Sequence, residues 1–166
     1  MAAKGIQFPW RWDGCKISTN LDVIWGMSAK CCPRPPDSKE MKPEPEIVAA
    51  LYGELMEAPL RTFPALWEAG LDAPVRGGVY VVYNPQGQAV HVGRATSRGG
   101  IAKRLRDHMA NASSFTTQYL KGEGGRLRGR YKYRALAVGN RRHRALLEAY
   151  ATGHLCPAHL GVGGAA

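Results

Sequence analysis

Apolar and polar positions change period several times along the chain, and each change predicts an element. In "EPEIVAALYGELMEA", residues 44–58, Ile47, Leu51 and Leu55 recur four apart behind Pro45, which predicts an amphipathic helix. A shorter helix is expected around "FPALWEAG", residues 63–70, ended by Gly70. From Gly77 the period falls to two, and "GGVYVVYNPQGQAVHVG" reads as strand, turn and strand with "NPQG" as the turn. A four-residue loop from Asn84 to Gly87 sets Tyr83 opposite Gln88, Val81 opposite Val90, Val79 opposite Val92 and Tyr80 opposite His91. The valines then make the buried face, and Tyr80 and His91 share the other. Ile101, Leu105 and Met109 restore a spacing of four and predict a helix over 99–112. "KGEGGRLRGR", residues 121–130, reads as a loop, and "YKYRALAV", residues 131–138, as a strand. Asn140 caps a last helix, "RRHRALLEAYAT", for which Gly153 is the stop signal, with Pro157 beyond it.

Hairpin, helix, strand and helix in that order predict an α/β (α+β) domain over residues 77–166. Its expected core is a small three-stranded antiparallel sheet flanked by helices. Residues 1–76 read as an N-terminal extension with a Pro-rich connector at 33–46 and helices after it. Trp10, Trp12 and Trp25 lie in its first 30 residues, too short a piece to bury a core alone.

The chain has 166 residues, 45% of them hydrophobic, which suits a globular protein rather than a disordered one. No stretch approaches the ~20 apolar residues of a membrane span, and the N-terminus lacks a signal-peptide core, so a cytoplasmic location is expected. Cys15, Cys31, Cys32 and Cys156 fit no zinc-ligand spacing and read as reduced thiols. The charge is more informative. Net charge is +10, and of 23 Lys and Arg residues 14 lie between Arg94 and Arg144, with only Asp107 and Glu123 among them. A field of one sign so concentrated suits a polyanion better than a solvated face, where acids are normally interleaved.

Several side chains in that region carry chemistry. Arg104 and His108 are four apart on one helix face, beside the apolar stripe rather than opposite it. Glu148 adjoins Leu147, Tyr150 and Ala151 on the last helix, where it can ligate a divalent cation or pair with Arg144 one turn before it.

Gly78-Val79-Tyr80, ten residues, then His91-Val92-Gly93 resembles the paired signature of the GIY-YIG nuclease superfamily. "IAKRLRDH" is similar to that family's arginine helix, with His108 four residues after Arg104. "LLEAYATGHLCP" is similar to its glutamate helix, with Pro157 nine residues after Glu148. The resemblance covers residues 77–161, with two departures: His91 stands where the family has its second tyrosine, and Leu160 where it has an asparagine.

The resemblance implies metal-dependent hydrolysis of a phosphodiester. Glu148 would hold one Mg²⁺ or Mn²⁺ and Arg104 the phosphate oxygens. Tyr80 would act as general base or water-positioner, its pKa lowered by Arg104 and the metal, with His91 or His108 as the alternative proton acceptor. Arg94 would meet phosphate too. Gly78 and Gly93 would face each other at the open end of the hairpin, leaving room for close approach. Arg98, Lys103, Arg126, Arg128, Arg130 and Lys132 are the further nucleic-acid contacts expected from the basic segment. A restriction-like endonuclease making double-strand cuts in DNA, as a homodimer, is the leading expectation. Its rivals are a structure- or single-strand-specific DNA nuclease, an RNA-cutting toxin, and a binding module that has lost catalysis.

Overall fold

The structure, a computed structural model, describes residues 43–66, 70–96 and 98–160. The chain divides into two units, residues 1–39 and residues 40–166, and the described residues all belong to the second. Trp10, Trp12, Trp25, Cys15, Cys31 and Cys32, and the connector up to residue 42, lie outside the described residues.

Helix α1 (Glu44–Glu57) forms where its spacing predicts, with Pro45 in the first turn. Arg134 receives its far end, donating to the carbonyls of Met56 and Ala58, and so satisfies oxygens that a helix end leaves unpaired. The next segment departs from expectation. Instead of a helix, Arg61–Thr62 form a two-residue strand, β1. The chain after it is held extended because Phe63 donates to Tyr131 and accepts from Gly129 through its backbone. Residues 63–66 are therefore not helical, and 67–69 lie outside the described residues.

Strands β2 (Gly78–Tyr83), β3 (Ala89–Ala95) and β4 (Lys132–Ala137) complete the sheet. It is antiparallel and four-stranded in the order β1-β4-β2-β3, one strand more than expected. Both of its faces are covered. Helix α2 (Gly100–Met109) and the segment after it bury Tyr80, Val82, Val90, Ile101, Leu105 and Phe115 on one side. Helices α1 and α3 (Arg141–Leu155) bury Val79, Val81, Val92, Leu55 and Leu147 on the other. The face that Tyr80 and His91 share is thus no polar surface but a second core.

The register of the hairpin also differs, for two local reasons. The loop closes on Asn84, whose N–H donates to Gln88 O at 2.9 Å, with Gly87 left-handed at φ 84°, so three residues turn the chain rather than four. A bulge then inserts Val90 between the Tyr83–Ala89 and Val82–His91 pairs. Tyr80 consequently sits opposite Gly93, Val81 opposite Val92 and Val79 opposite Arg94, while Gly78 faces Ala95 rather than Gly93. The shift totals two residues, which keeps His91 on the face of Tyr80 but moves Val90 onto that face and Ala89 onto the face of Val79 and Val81. Without the bulge His91 would oppose Val81 and point toward α3. The bulge is what turns it to Tyr80.

Helix α3 begins as expected: the Asn140 side chain accepts from the backbone N–H groups of Arg142 and His143 at 2.8 and 3.1 Å. Its end does not, since the helix runs through Gly153 to Leu155 and stops at Cys156 in the left-handed conformation. Asn140→Ala is expected to lower unfolding free energy by about 1 kcal/mol, seen as a lower denaturant midpoint at unchanged slope. An unchanged midpoint would show that the cap carries no stability.

Candidate active site

Strand β3 is one edge of the sheet, and the candidate residues gather around it. Tyr80, 1% exposed, reaches from β2 toward α2, where its hydroxyl meets His108 Nε2 at 2.7 Å. His108 is wholly buried and its Nδ1 meets Ser113 Oγ at 2.6 Å, so both ring nitrogens are engaged. His91 stacks on Phe115 with centroids 4.7 Å apart and planes at 11°. Its ring centre is 5.9 Å from that of Tyr80 and 5.4 Å from that of His108. Gly93 is the floor of this cluster: a Cβ built there would lie 2.5 Å from the Tyr80 hydroxyl and 3.0 Å from His91 Nε2. The hydroxyl and the imidazole nitrogen therefore border one small space.

The fifth ring comes from the tail. After α3 ends, the left-handed turn at Cys156 returns the chain along β3, where His159 N–H donates to Val90 O at 3.0 Å and forms an isolated bridge to His91. His159 Nδ1 lies 3.2 Å from His91 Nδ1, and its Nε2 lies 2.9 Å from Gln118 Oε1. Gln118 itself belongs to a single π-type turn, Phe115–Tyr119. Ser113, Phe115, Gln118 and His159 are the members of this cluster that the sequence did not single out.

Arg104 is partly exposed on α2 and lines a polar groove with Arg94, Thr96, Arg98, Lys103 and Asp107. A second hollow continues it past Arg94 and Thr96 to Arg141 and Arg144. Glu148 stands at its margin, its Oε2 3.1 Å from Arg94 Nε. The alternative partner Arg144 is instead buried and donates to Val138 O at 3.2 Å. Of the remaining basic residues, Lys103 pairs with Asp107 at 2.9 Å and Arg126 with Glu123 at 3.4 Å. Lys132 pairs with Tyr83 at the turn end of the sheet, the end away from Arg94, while Arg130 is exposed and Arg128 partly buried in the loop leading to it. The structure thus gathers the rings of Tyr80, His91 and His108 beneath α2, sets Arg94, Arg98, Lys103, Arg104 and Glu148 around the groove, and leaves Lys132 at the turn end of the sheet.

Burial dominates the titration of the cluster. It pushes the Tyr80 phenol well above its ordinary value, and Arg104, which favours the phenolate, only partly offsets this. Arg104 by itself therefore does not bring the phenol below its ordinary value. Burial, the neighbouring imidazole of His159 and Arg104 bring His91 down to about 4, and His108 is depressed further still. Desolvation raises the Glu148 carboxyl in spite of Arg94 and Arg104, whose charges act the other way.

These directions set a stability profile. A histidine depressed from 6.5 to about 4 contributes its full stability above pH 6.5 and loses it as pH falls toward 4, because only the unfolded chain takes up protons there. That loss is about 3 kcal/mol from His91 at pH 4, and His108 and His159, also lowered, add to it. The raised Glu148 works in the opposite sense but is half-buried and compensated by arginines. The melting temperature is expected to drop by many degrees between pH 7 and pH 4.5, and a flat profile would contradict buried neutral histidines.

Among the described residues no group of three or more His, Cys, Asp or Glu can hold a metal. Glu148 alone is a donor set for a hard divalent cation that keeps most of its water, and not for zinc, which takes three or four protein ligands. The residues present fit that loosely held kind of ion.

No protein-family model and no curated protein matches the chain. Among solved structures it is similar to two point mutants of the GIY-YIG N-terminal endonuclease domain of UvrC from Thermotoga maritima, each bound to its catalytic divalent cation. Both are 25% identical and span 53% of this chain and 86% of theirs, with TM-scores of 0.40 and 0.39. At those TM-scores the superposition is loose, and the roles of the residues in this chain rest on their own geometry.

Proposed function

We propose that this chain is a metal-dependent endonuclease that hydrolyses phosphodiester bonds in DNA. One observation supports this above the others: Tyr80, His91 and His108 converge beside Arg104 and Glu148 at the end of a groove lined by Arg94, Arg98, Lys103, Arg141 and Arg144. A polyanion seated along those cations brings a phosphate to Arg104, whose planar fork matches two non-bridging oxygens. Glu148 would hold the Mg²⁺ or Mn²⁺, which when bound neutralises charge on the phosphate and the leaving oxygen. Tyr80, with its raised pKa and its hydroxyl bonded to His108, is suited to orient water rather than to take its proton. Arg94 holds Glu148 in place and lies beside the phosphate path. The exposed basic residues Arg126 and Arg130, with Arg128 and Lys132, provide contacts to backbone farther along the duplex.

Double-strand, restriction-like cleavage is the reading of first choice, because the basic loop supplies side chains that can reach base edges. A panel of supercoiled plasmid, single-stranded circular DNA and RNA, each with Mg²⁺, separates the alternatives. Discrete linear fragments are expected from plasmid. A smear, or cutting confined to the single-stranded circle, would replace sequence-specific cleavage by non-specific or structure-specific cleavage, and cutting of RNA alone would overturn DNA as the substrate.

A further inference from the structure

A hydrogen-bonded row along the sheet edge is left unused by that chemistry. His91 Nδ1 lies 3.2 Å from His159 Nδ1 and 3.5 Å from the His159 carbonyl oxygen, and His159 Nε2 lies 2.9 Å from Gln118 Oε1. The row has a direction. An amide oxygen only accepts, so His159 must carry its proton on Nε2. A neutral imidazole has one ring proton, so His159 Nδ1 is a lone pair. The atom facing it, His91 Nδ1, must then be a donor, and its other partner, the His159 carbonyl, also only accepts. His91 Nε2 is thereby left as the lone pair. That is the atom bordering the space above Gly93, beside the Tyr80 hydroxyl. Stacking on Phe115 holds the ring in this plane. His108 cannot serve in the same way, since its Nε2 is occupied by Tyr80 at 2.7 Å and its Nδ1 by Ser113 at 2.6 Å.

We infer that Gln118 and His159 are positioning residues that fix His91 in its Nδ1–H tautomer, so that His91 Nε2 takes the proton of the attacking water. The inference rests on the nuclease reading. As the proton moves to His91 Nε2, the water oxygen bonds to phosphorus and the bond to the 3′ oxygen breaks. That oxygen takes a proton from solvent, and His91 later returns its own to solvent. The charge formed on the ring is met by the acceptor row: the His159 nitrogen and carbonyl at Nδ1, with Gln118 holding His159 in turn. The second tyrosine of the motif is thus replaced by a histidine that brings its own orienting partners, and no residue pattern along the chain gives warning of those partners.

Gln118 is exposed, so its side chain can be changed without disturbing the core. Gln118→Glu keeps an acceptor, and Gln118→Leu removes it. Ring ¹⁵N shifts of the full-length, metal-free protein report the tautomer, and kcat, KM and their pH dependence on supercoiled plasmid with Mg²⁺ report the consequence. Wild type is expected to show His91 protonated on Nδ1. Gln118→Glu should do the same and move the acid limb of kcat to higher pH, because a carboxylate favours imidazolium. Gln118→Leu should mix the tautomers and lower kcat by about tenfold or more, with KM and melting temperature unchanged. A wild-type kcat and pH profile in Gln118→Leu would overturn the inference. Cleavage by a wild type whose His91 is protonated on Nε2 overturns the row and leaves the nuclease reading standing. A wild type that shows the tautomer but cuts no nucleic acid overturns the base role through the reading on which it rests.

Discussion

Gly93→Ala is expected to slow cleavage by on the order of a hundredfold and to destabilise the fold in one step. The added methyl would lie 2.5 Å from the Tyr80 hydroxyl, 2.7 Å from the carbon that bears it and 3.0 Å from His91 Nε2. None of those neighbours is free to yield. Tyr80 is pinned between its strand and His108, and His91 between Phe115 and His159. Overpacking of this kind costs about 1–3 kcal/mol, so the midpoint of denaturation should fall while the protein still folds. The effect on rate should exceed the effect on stability, because a displacement of about 1 Å in positioned groups costs on the order of a hundredfold. Thermal melts and plasmid cleavage measured side by side check this. A stable Gly93→Ala protein that cuts at the wild-type rate would mean that Tyr80 and His91 do not act at that point.

Arg104→Ala carries the second large effect, and its signature differs. Arg104 is partly exposed and lines the groove, so its loss should leave the melting temperature nearly unchanged. Removing a charged, forked donor from a developing phosphate charge costs about 10²–10³-fold in rate. Lysine should restore little of it, since a single ammonium cannot span two oxygens. The same guanidinium lowers His91 and His108 and favours the phenolate of Tyr80 and the carboxylate of Glu148. Its removal should therefore raise all four pKa values, and NMR titration of His91 should show the change. Full activity in Arg104→Ala, or a His91 titration that does not move, would remove Arg104 from the site.

Much of this site was legible because its elements are periodic. The valine alternation of β2, the Ile101–Leu105–Met109 stripe of α2 and the Asn140 cap of α3 each leave a mark that survives without any tertiary context. The chemistry-bearing residues on them could be found: the rings of Tyr80, His91 and His108 touch, Arg104 lines the groove beside them and Glu148 pairs with Arg94. What periodicity could not show is how strands slide and where chains double back. The register depended on Gly87 being left-handed and on Val90 bulging, both decided by closure of the loop rather than by alternation. Strand β1 is two residues long, too short to alternate.

The partners of the histidines were hidden for related reasons. A π-type turn has no repeat to recognise, so Gln118 gave no signal, and Ser113 lies in the irregular bend before it. His159 reaches His91 only because α3 overruns Gly153 and turns at Cys156, a residue with no marked preference for the left-handed region. Burial also opposes the electrostatic pull of the guanidinium. Arg104 does act on Tyr80 in the sense anticipated, but desolvation of a side chain 1% exposed outweighs it.

The most direct measurement is conversion of supercoiled plasmid to nicked and linear forms by the wild type and by Glu148→Ala, each with Mg²⁺ and with EDTA. Matched thermal melts establish that the variant is folded. Cleavage is predicted for the wild type in Mg²⁺ only, and none for Glu148→Ala, whose binding to the plasmid persists because the basic groove is intact. Cleavage that continues in EDTA, or that survives the loss of Glu148, would contradict a metal-dependent site built on that carboxylate.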